Sequence, residues 1–405
     1  MTNIKTLGAS AAVLLGFAAP ALAGPTMTFG PDNKGELQLD YKGQLQMSIR
    51  DDGSGADNDA RTANVNFRRN RLALMGDYGD VFSLYVQTEF VDQTSINPLG
   101  LNTTTTSPQF SMLDARFIFD LGDALKITAG KFKYSFSREN LEACEQPLTL
   151  DRSLLLTAPL LGNNPTRDVG VSLWGNLFND VVQYRVDVME GRKAAAGDAS
   201  NPAAPKSSFR YGGRVHVSLF DAESNFGYRG TYRGQKKVLT LGAAVQREPG
   251  VVYSDWVAKT GKKDYSAWTL DAFLEYPVKD VGTFTLSGAS VNYKLDHAYL
   301  GANPDPISYG LNGEKKGGYV KAGYMLPNSP IQFFGRHEQW RFAKLNGIFN
   351  QKIDWTGLGA NYYIWDQNLK VTVEYSQTQF DKQGTVDGVR SKDLKSFVAQ
   401  LQVIF

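Results

Sequence analysis

Basic residues cluster at a few places in this 405-residue sequence, and their types limit the chemistry open to it. Arg68, Arg69 and Arg71 stand within four positions of one another. Lys131 and Lys133 share one parity, as do Arg210 and Arg214. An arginine's planar fork grips phosphate or carboxylate through two parallel hydrogen bonds, and a lysine offers a compact point charge. Fixed cations and donors can replace the water shell of an anion in a narrow passage. A further stretch mixes signs: Arg138 and Arg152 accompany Glu139, Glu142, Glu145 and Asp151. Other reactive groups are sparse. Around His216, His297 and His337 there is no HExxH, no GxSxG and no phosphate-cradling P-loop. His337, between Arg336 and Glu338, reads as an ordinary strand residue. Cys144 is the one cysteine, so the chain has no internal disulfide, no four-cysteine zinc or iron–sulfur site and no CxxCH haem attachment. Flanked by Glu142 and Glu145, Cys144 is expected to be inert. No catalytic residue, metal site or cofactor is expected.

The elements that would position these cations are strands. In Glu36–Arg50 the odd positions are Leu37, Leu39, Tyr41, Gly43, Leu45, Met47 and Ile49, and every even position is polar. Successive strand side chains point to opposite faces, so this is a long two-faced strand and not a helix. The pattern returns in Phe82–Phe90, Val182–Val188, Phe209–Leu219 and Leu369–Tyr375. In Val65–Met75 the phase flips near Arg68–Asn70, which predicts a bulge and turns Arg69 and Arg71 toward the polar face. Asp221–Lys237 is too long and too polar for a tight turn and is expected to conceal strand extension.

Composition narrows the class. With 42% hydrophobic and 21% charged residues, the chain is too polar for a helical membrane protein and too apolar for a disordered one. A net charge of +2 gives no case for nucleic acid. Residues 1–23 read as a signal peptide: Lys5, an apolar run from Ala11 to Ala19, and Ala21-Leu22-Ala23 before the cut. That leaves residues 24–405 as a single exported domain without a spanning helix.

Short Gly/Asp/Asn/Pro turns alternate with long polar connections, among them 51–61, 92–109, 137–166 and 191–207. Alternating short periplasmic turns and long outer loops characterise a transmembrane antiparallel β-barrel, here all-β with about sixteen strands. The chain ends in mid-strand at Phe397–Phe405; closure onto the first strand would remove that sticky edge. Trp174, Trp268, Trp340, Trp365 and Phe405 are expected in the aromatic girdles. A soluble β-sandwich or β-helix shares the alternation but not this loop asymmetry.

Several short motifs are more specific. Phe67-Arg68-Arg69-Asn70-Arg71-Leu72 resembles the FRRxRL signature of the phosphate-selective porin O and P family. Gly130-Lys131-Phe132-Lys133 with Ser137-Arg138-Glu139-Asn140 resembles its GQFK…E element. Asp151-Arg152-Ser153, Arg167-Asp168-Val169-Gly170-Val171, Asp271–Glu275 and Asn361–Ile364 are similar to later elements, in order along the chain. The resemblance implies a sixteen-stranded trimeric outer-membrane porin of a Gram-negative bacterium, embedded in outer-membrane lipid and passing small ions and solutes. Its terminal Phe405 would be read by the barrel-assembly machinery. It also implies that Arg68, Arg69 and Arg71 line the pore, and the shared faces of Lys131 with Lys133 and of Arg210 with Arg214 make these further pore-lining candidates. A third outer loop, 137–166, would fold in as a constriction carrying Arg138, Glu142 and Arg152. Because that loop is acidic and Asp40, Glu89, Asp114, Asp187, Glu275 and Glu374 share the polar faces, the expectation is a general diffusion channel with mild anion preference, phosphate included. Two other classes compete. A scaffold sheathing a partner, such as an electron-transfer conduit, would need haem from another chain. An outer-membrane enzyme would need a convergent catalytic set that the histidine spacing does not offer.

Overall fold

The computed structural model describes residues 24–54, 56–57, 59–91, 109–153, 156, 166–192, 204–205 and 208–405. Residues 1–23, which carry the expected signal peptide, lie outside the described residues, as do parts of the long loops.

The wall strands are β1 (Gly35–Ser54), β2 (Ala60–Tyr78), β3 (Phe82–Val91), β4 (Gln109–Asp120), β5 (Lys126–Lys133), β6 (Arg167–Leu177), β7 (Val182–Met189) and β8 (Arg210–Ser218). They continue as β9 (Val238–Asp255), β10 (Thr260–Val278), β11 (Gly282–Lys294), β12 (Lys315–Met325), β13 (Ile331–Leu345), β14 (Ile348–Trp365), β15 (Leu369–Phe380) and β16 (Leu394–Ile404). Each pairs antiparallel with its sequence neighbour, and β16 returns to β1 through pairs such as Phe397–Ile49 and Val403–Gly43. The sheet counts 17 strands because a short strand, Thr26–Phe29, extends the β16 position along β1; sixteen strands form the closed wall. Closure leaves no unpaired edge.

The alternation read from the sequence decides which way the wall faces. Leu39, Leu45, Met47 and Ile49 are exposed on the outside, while Gln44, Gln46, Ser48 and Arg50 are buried within. Inside the β16–β1 seam, Gln44 Nε2 donates to Gln402 (2.6 Å) and Gln46 Nε2 to Gln400 (2.7 Å). These amide pairs satisfy polar groups that closure takes out of solvent. The expected phase flip is present: Gln44 opposes Arg69 and Leu45 opposes Phe67, leaving Arg68 as the extra residue of a bulge. On β5, Gly130 takes a φ of 122°, and a Cβ there would stand 2.2 Å from the Ala115 carbonyl oxygen. Only glycine fits that approach.

The core lies inside the barrel. Phe132, Tyr134, Phe136, Trp174, Phe226, Tyr228, Tyr293 and Trp340 cluster there. Two girdle expectations are therefore corrected. Trp174 and Trp340 are buried at 4% and 0% exposure, whereas Trp268, Trp365 and Phe405 are exposed. Trp174 Nε1 donates to Thr128 Oγ1 and Trp340 Nε1 to Glu338, so each indole has an inward partner.

Candidate functional site

Two connections leave opposite ends of the barrel and meet in its lumen. From the long-loop end comes the β5–β6 connection. Ser137 caps its helical turn, Arg138–Leu141, accepting from Asn140 N at 3.0 Å. The loop is then laced to the wall around the circumference. Ser135 N donates to Asp187 on β7 (2.6 Å), and Arg138 N to Asp271 on β10 (3.1 Å). Glu139 pairs with Lys321 on β12, and Ser153 Oγ donates to Glu338 on β13. Leu148 O accepts from Asn361 on β14, Leu150 N donates to Glu374 on β15, and Glu145 O accepts from Gln402 on β16. The circuit closes on β2, where Arg68 and Arg69 both hold Asp151 at 2.8 Å and Arg71 holds Glu145 at 3.3 Å.

From the short-turn end comes the β8–β9 connection. Its base is clasped by Asp221 N to Lys237 O (2.8 Å), and Glu223, Phe226, Tyr228 and Tyr232 are buried in the barrel. The stretch Asp221–Lys237 is thus an inserted segment, not strand extension: its polar groups find lumen partners in place of solvent. Phe226 lies between the Arg116 and Arg185 guanidiniums, 5.2 and 4.5 Å from its ring centre. The two connections touch through Ala143 N to Tyr228 O (2.8 Å) and Gly230 N to Gln146 O (2.8 Å). Arg138 pairs with Glu223 and donates to Arg229 O (2.8 Å).

Electrostatics follow from this lacing. Burial opposes ionisation of Asp151, but Arg68, Arg69 and Arg152 overcome it and hold the carboxyl well below its usual range. Glu145 is likewise lowered, burial being outweighed by Lys42 and Arg71. Glu142 goes the other way: burial, then the charge of Glu139, push it up to about 8. Cys144, expected to be inert beside acidic neighbours, is buried at 2% exposure and lies among cations instead. Burial opposes its ionisation, yet Arg152, Lys133, Arg69 and Arg71 carry it well below its ordinary value. Its sequence neighbours are acidic, but Glu142 faces Arg138 (3.6 Å) and Glu145 faces Arg71, while Lys133 Nζ stands 3.8 Å from Sγ.

The structure gathers most of the expected pore residues but not all. Arg68, Arg69, Arg71, Lys133, Arg138, Glu142 and Arg152 meet at the loop. Lys131 does not join them. It opposes the exposed Val169 and its Nζ donates to Met112 O in an exposed bond, because the β5 parity that buries Phe132 turns residue 131 outward. Arg210 and Arg214 are inward but committed elsewhere, to Glu248 (3.0 Å) and Asp271 (2.6 Å). Sequence reading missed Arg116, Arg185, Lys321, Arg336 and Lys370. Parity gave the signal for Lys370, which alternates with Leu369, Val371 and Val373. Nothing local marked Glu223, which acts only through the fold of its segment.

The charge balance of the loop is also revised by geometry. Its carboxylates are paired: Glu139 with Lys321, Glu142 with Arg138, Glu145 with Arg71, and Asp151 with Arg68 and Arg69. Three cations are not. Lys133 donates to Glu142 O (2.6 Å), Arg152 to Asn140 O (2.9 Å), and Lys370 to Glu145 O (3.3 Å) and Gln367 (3.0 Å). Among the described residues none of these three has an ion pair.

A closed barrel, apolar outside and polar inside, narrowed by its own inserted segments, defines the class of outer-membrane channels. The description "Phosphate-selective porin O and P" matches residues 39–405, and the chain belongs to that family. Similar solved folds include the anion-selective porin from Comamonas acidovorans, at 10% identity and TM-score 0.56 over 92% of this chain and 100% of that one. The outer membrane channel DcaP of Acinetobacter baumannii matches at 14% identity and TM-score 0.55, over 94% and 100%. Salmonella typhi OmpF, in a complex with daunomycin, matches at 12% identity and TM-score 0.56, over 94% and 100%. No curated protein matches the chain by sequence. Family and fold together place the barrel in a Gram-negative outer membrane, with the short turns periplasmic.

Proposed function

We propose that the chain is a passive diffusion channel for small hydrophilic solutes and ions with a preference for anions, inorganic phosphate among them. One observation carries the preference. At the constriction every loop carboxylate is paired, while Lys133, Arg152 and Lys370 have no ion pair among the described residues: they donate to carbonyl and amide oxygens, and Lys133 Nζ also stands 3.8 Å from Cys144 Sγ. The charge of the partly exposed Lys133 and Arg152 is therefore available to a passing anion, whose lost hydration they replace, with the buried Lys370 behind them. Arg68, Arg69 and Arg71 act one step behind: Arg68 and Arg69 hold Asp151, and Arg71 is shared between Glu89 and Glu145. No covalent chemistry is assigned. The β5–β6 and β8–β9 segments meet in the lumen, across the path a sheathed partner would take, which favours the channel over the scaffold.

The rest of the reading follows the family. The leader 1–23 is removed at export, the mature chain assembles as a homotrimer, and the terminal strand with Phe405 is presented to the assembly machinery. Phe405 is exposed, its N donates to Tyr41 O (3.1 Å) and its ring lies 5.3 Å from that of Tyr41.

The test is the reversal potential of the refolded protein in a planar bilayer under a potassium chloride gradient, then with inorganic phosphate added. An anion-selective potential with phosphate-dependent block is expected. A cation-selective potential would refute the preference, and no conductance would refute the channel.

A further inference from the structure

The outer wall carries a cationic row level with one girdle tryptophan. Trp268, Asn292, Lys316, Arg341 and Lys352 oppose one another on five successive strands, β10 to β14. All lie on outward series: Trp268, Lys316 and Arg341 are exposed, and Asn292 and Lys352 partly so. Three like charges directly opposite one another across neighbouring strands repel. Relief is slight. Lys352 has Asp354 at 2.9 Å, Arg341 reaches only Asn350 at 3.5 Å, and Lys316 has no ion pair among the described residues.

The row rims a groove of about 790 Å³ in the wall. Its floor is bare because the backbone is close there: a Cβ on Gly318 would stand 2.1 Å from the Ala289 carbonyl oxygen. The height is set by aromatic residues. Trp268 and Tyr276 lie on the same outward series of β10 and bracket its apolar band, with Tyr276 toward the periplasmic turn. Trp268 therefore marks the outer-leaflet girdle. Below the row the outward residues are apolar on β10 and β12, with Leu270 and Val320 both exposed, while Gln339 and His337 on β13 and Asp354 and Thr356 on β14 keep that side of the groove polar.

We propose that this row docks the phosphorylated headgroup of an outer-leaflet lipid. Lys316, Arg341 and Lys352 hold its phosphates, Trp268 lies beside the sugar or glycerol, and an acyl chain runs down the groove over Val320 and Leu270. Charge complementarity selects this occupant. The clustered cations need a multivalent anion, and the groove opens to lipid at the depth where such headgroups sit. A zwitterionic lipid would neutralise the row less well.

The test is native mass spectrometry of the mature refolded protein from detergent, offered diphosphoryl lipid A or phosphatidylethanolamine. Wild type should retain lipid A, and K316Q/R341Q/K352Q should lose at least tenfold of that adduct while phosphatidylethanolamine retention stays constant. A heat-modifiable band on gels verifies that the variant barrel is folded. If the triple variant does not refold, K316E alone carries the same comparison. Equal lipid A adducts in wild type and variant would overturn the site. Displacement of lipid A by equimolar inorganic phosphate would overturn it in favour of a free-anion site. Unchanged lipid adducts with an altered oligomer mass would overturn it in favour of a contact between copies.

Discussion

Replacing Lys133 and Arg152 together by glutamine removes two cations from the constriction while keeping a donor at each position. Lys133 Nζ and the Arg152 guanidinium now donate to Glu142 O and Asn140 O, at 2.6 and 2.9 Å, and an amide can serve those carbonyls. An ion passing about 5 Å from each charge interacts with it by about 0.8 kcal/mol in a water-like medium. Screening at about 0.1 M salt roughly halves this. The sign reverses between an anion and a cation, so losing both charges should shift the anion-to-cation permeability ratio roughly tenfold toward cations. The assay is the reversal potential of single channels under a potassium chloride gradient, wild type against K133Q/R152Q. A shift toward cations with similar conductance is expected. An unchanged reversal potential at unchanged conductance would refute the placement of these two charges beside the ion path.

Further outcomes are expected. Phe226→Ala removes the ring that Arg116 and Arg185 flank, at a cost of about 3–5 kcal/mol to the packing of the periplasmic segment; single-channel conductance should rise, and an unchanged value would mean that the segment does not narrow the lumen. Glu142, raised to about 8 in the fold, binds a proton that the unfolded chain has released, so stability should fall as pH rises from the ordinary glutamate range through about 8. Thermal midpoints across that window, flattened in E142Q, check the sign, and a rising midpoint would refute it. Cys144 should show ultraviolet thiolate absorbance in the folded protein at a pH where the unfolded chain shows none, and K133Q/R152Q should weaken it. Identical spectra would show that the cations do not govern the thiol.

Why the wall was legible and the lumen was not is a matter of range. Strand direction depends on neighbours two positions away, so Glu36–Arg50 and its counterparts declared their inner and outer faces directly. The bulge at Arg68 was readable for the same reason, as a break in phase. Trp174 and Trp340 share the inward parity of Ser172 and Glu338, so that signal was present, and their aromatic type pointed to the girdle against it; the core they join is built by segments far away in sequence. The surroundings of Cys144 were not readable, since its acidic sequence neighbours turn aside and the cations about it, Arg152, Lys133, Arg69 and Arg71, come from the loop, β5 and β2. Lys131 looked equivalent to Lys133 until Lys133, where the strand ends, turned in with the loop. The segment 221–237 gave a correct warning, an excess of length and polarity, but not its destination.

The two inserted segments carry opposite signs. From 134 to 166 there are four carboxylates and two arginines; from 219 to 237 there are two carboxylates against four basic residues. They enter from opposite mouths and touch at Ala143 and Tyr228. The pair is an electrical clasp whose dipole lies along the barrel axis. A voltage positive on the periplasmic side presses its halves together, and the reverse polarity draws them apart, by about 2.3 kcal/mol per elementary charge per 100 mV for charge that crosses the whole field. Current through this barrel should therefore rectify and become noisier under one polarity than the other.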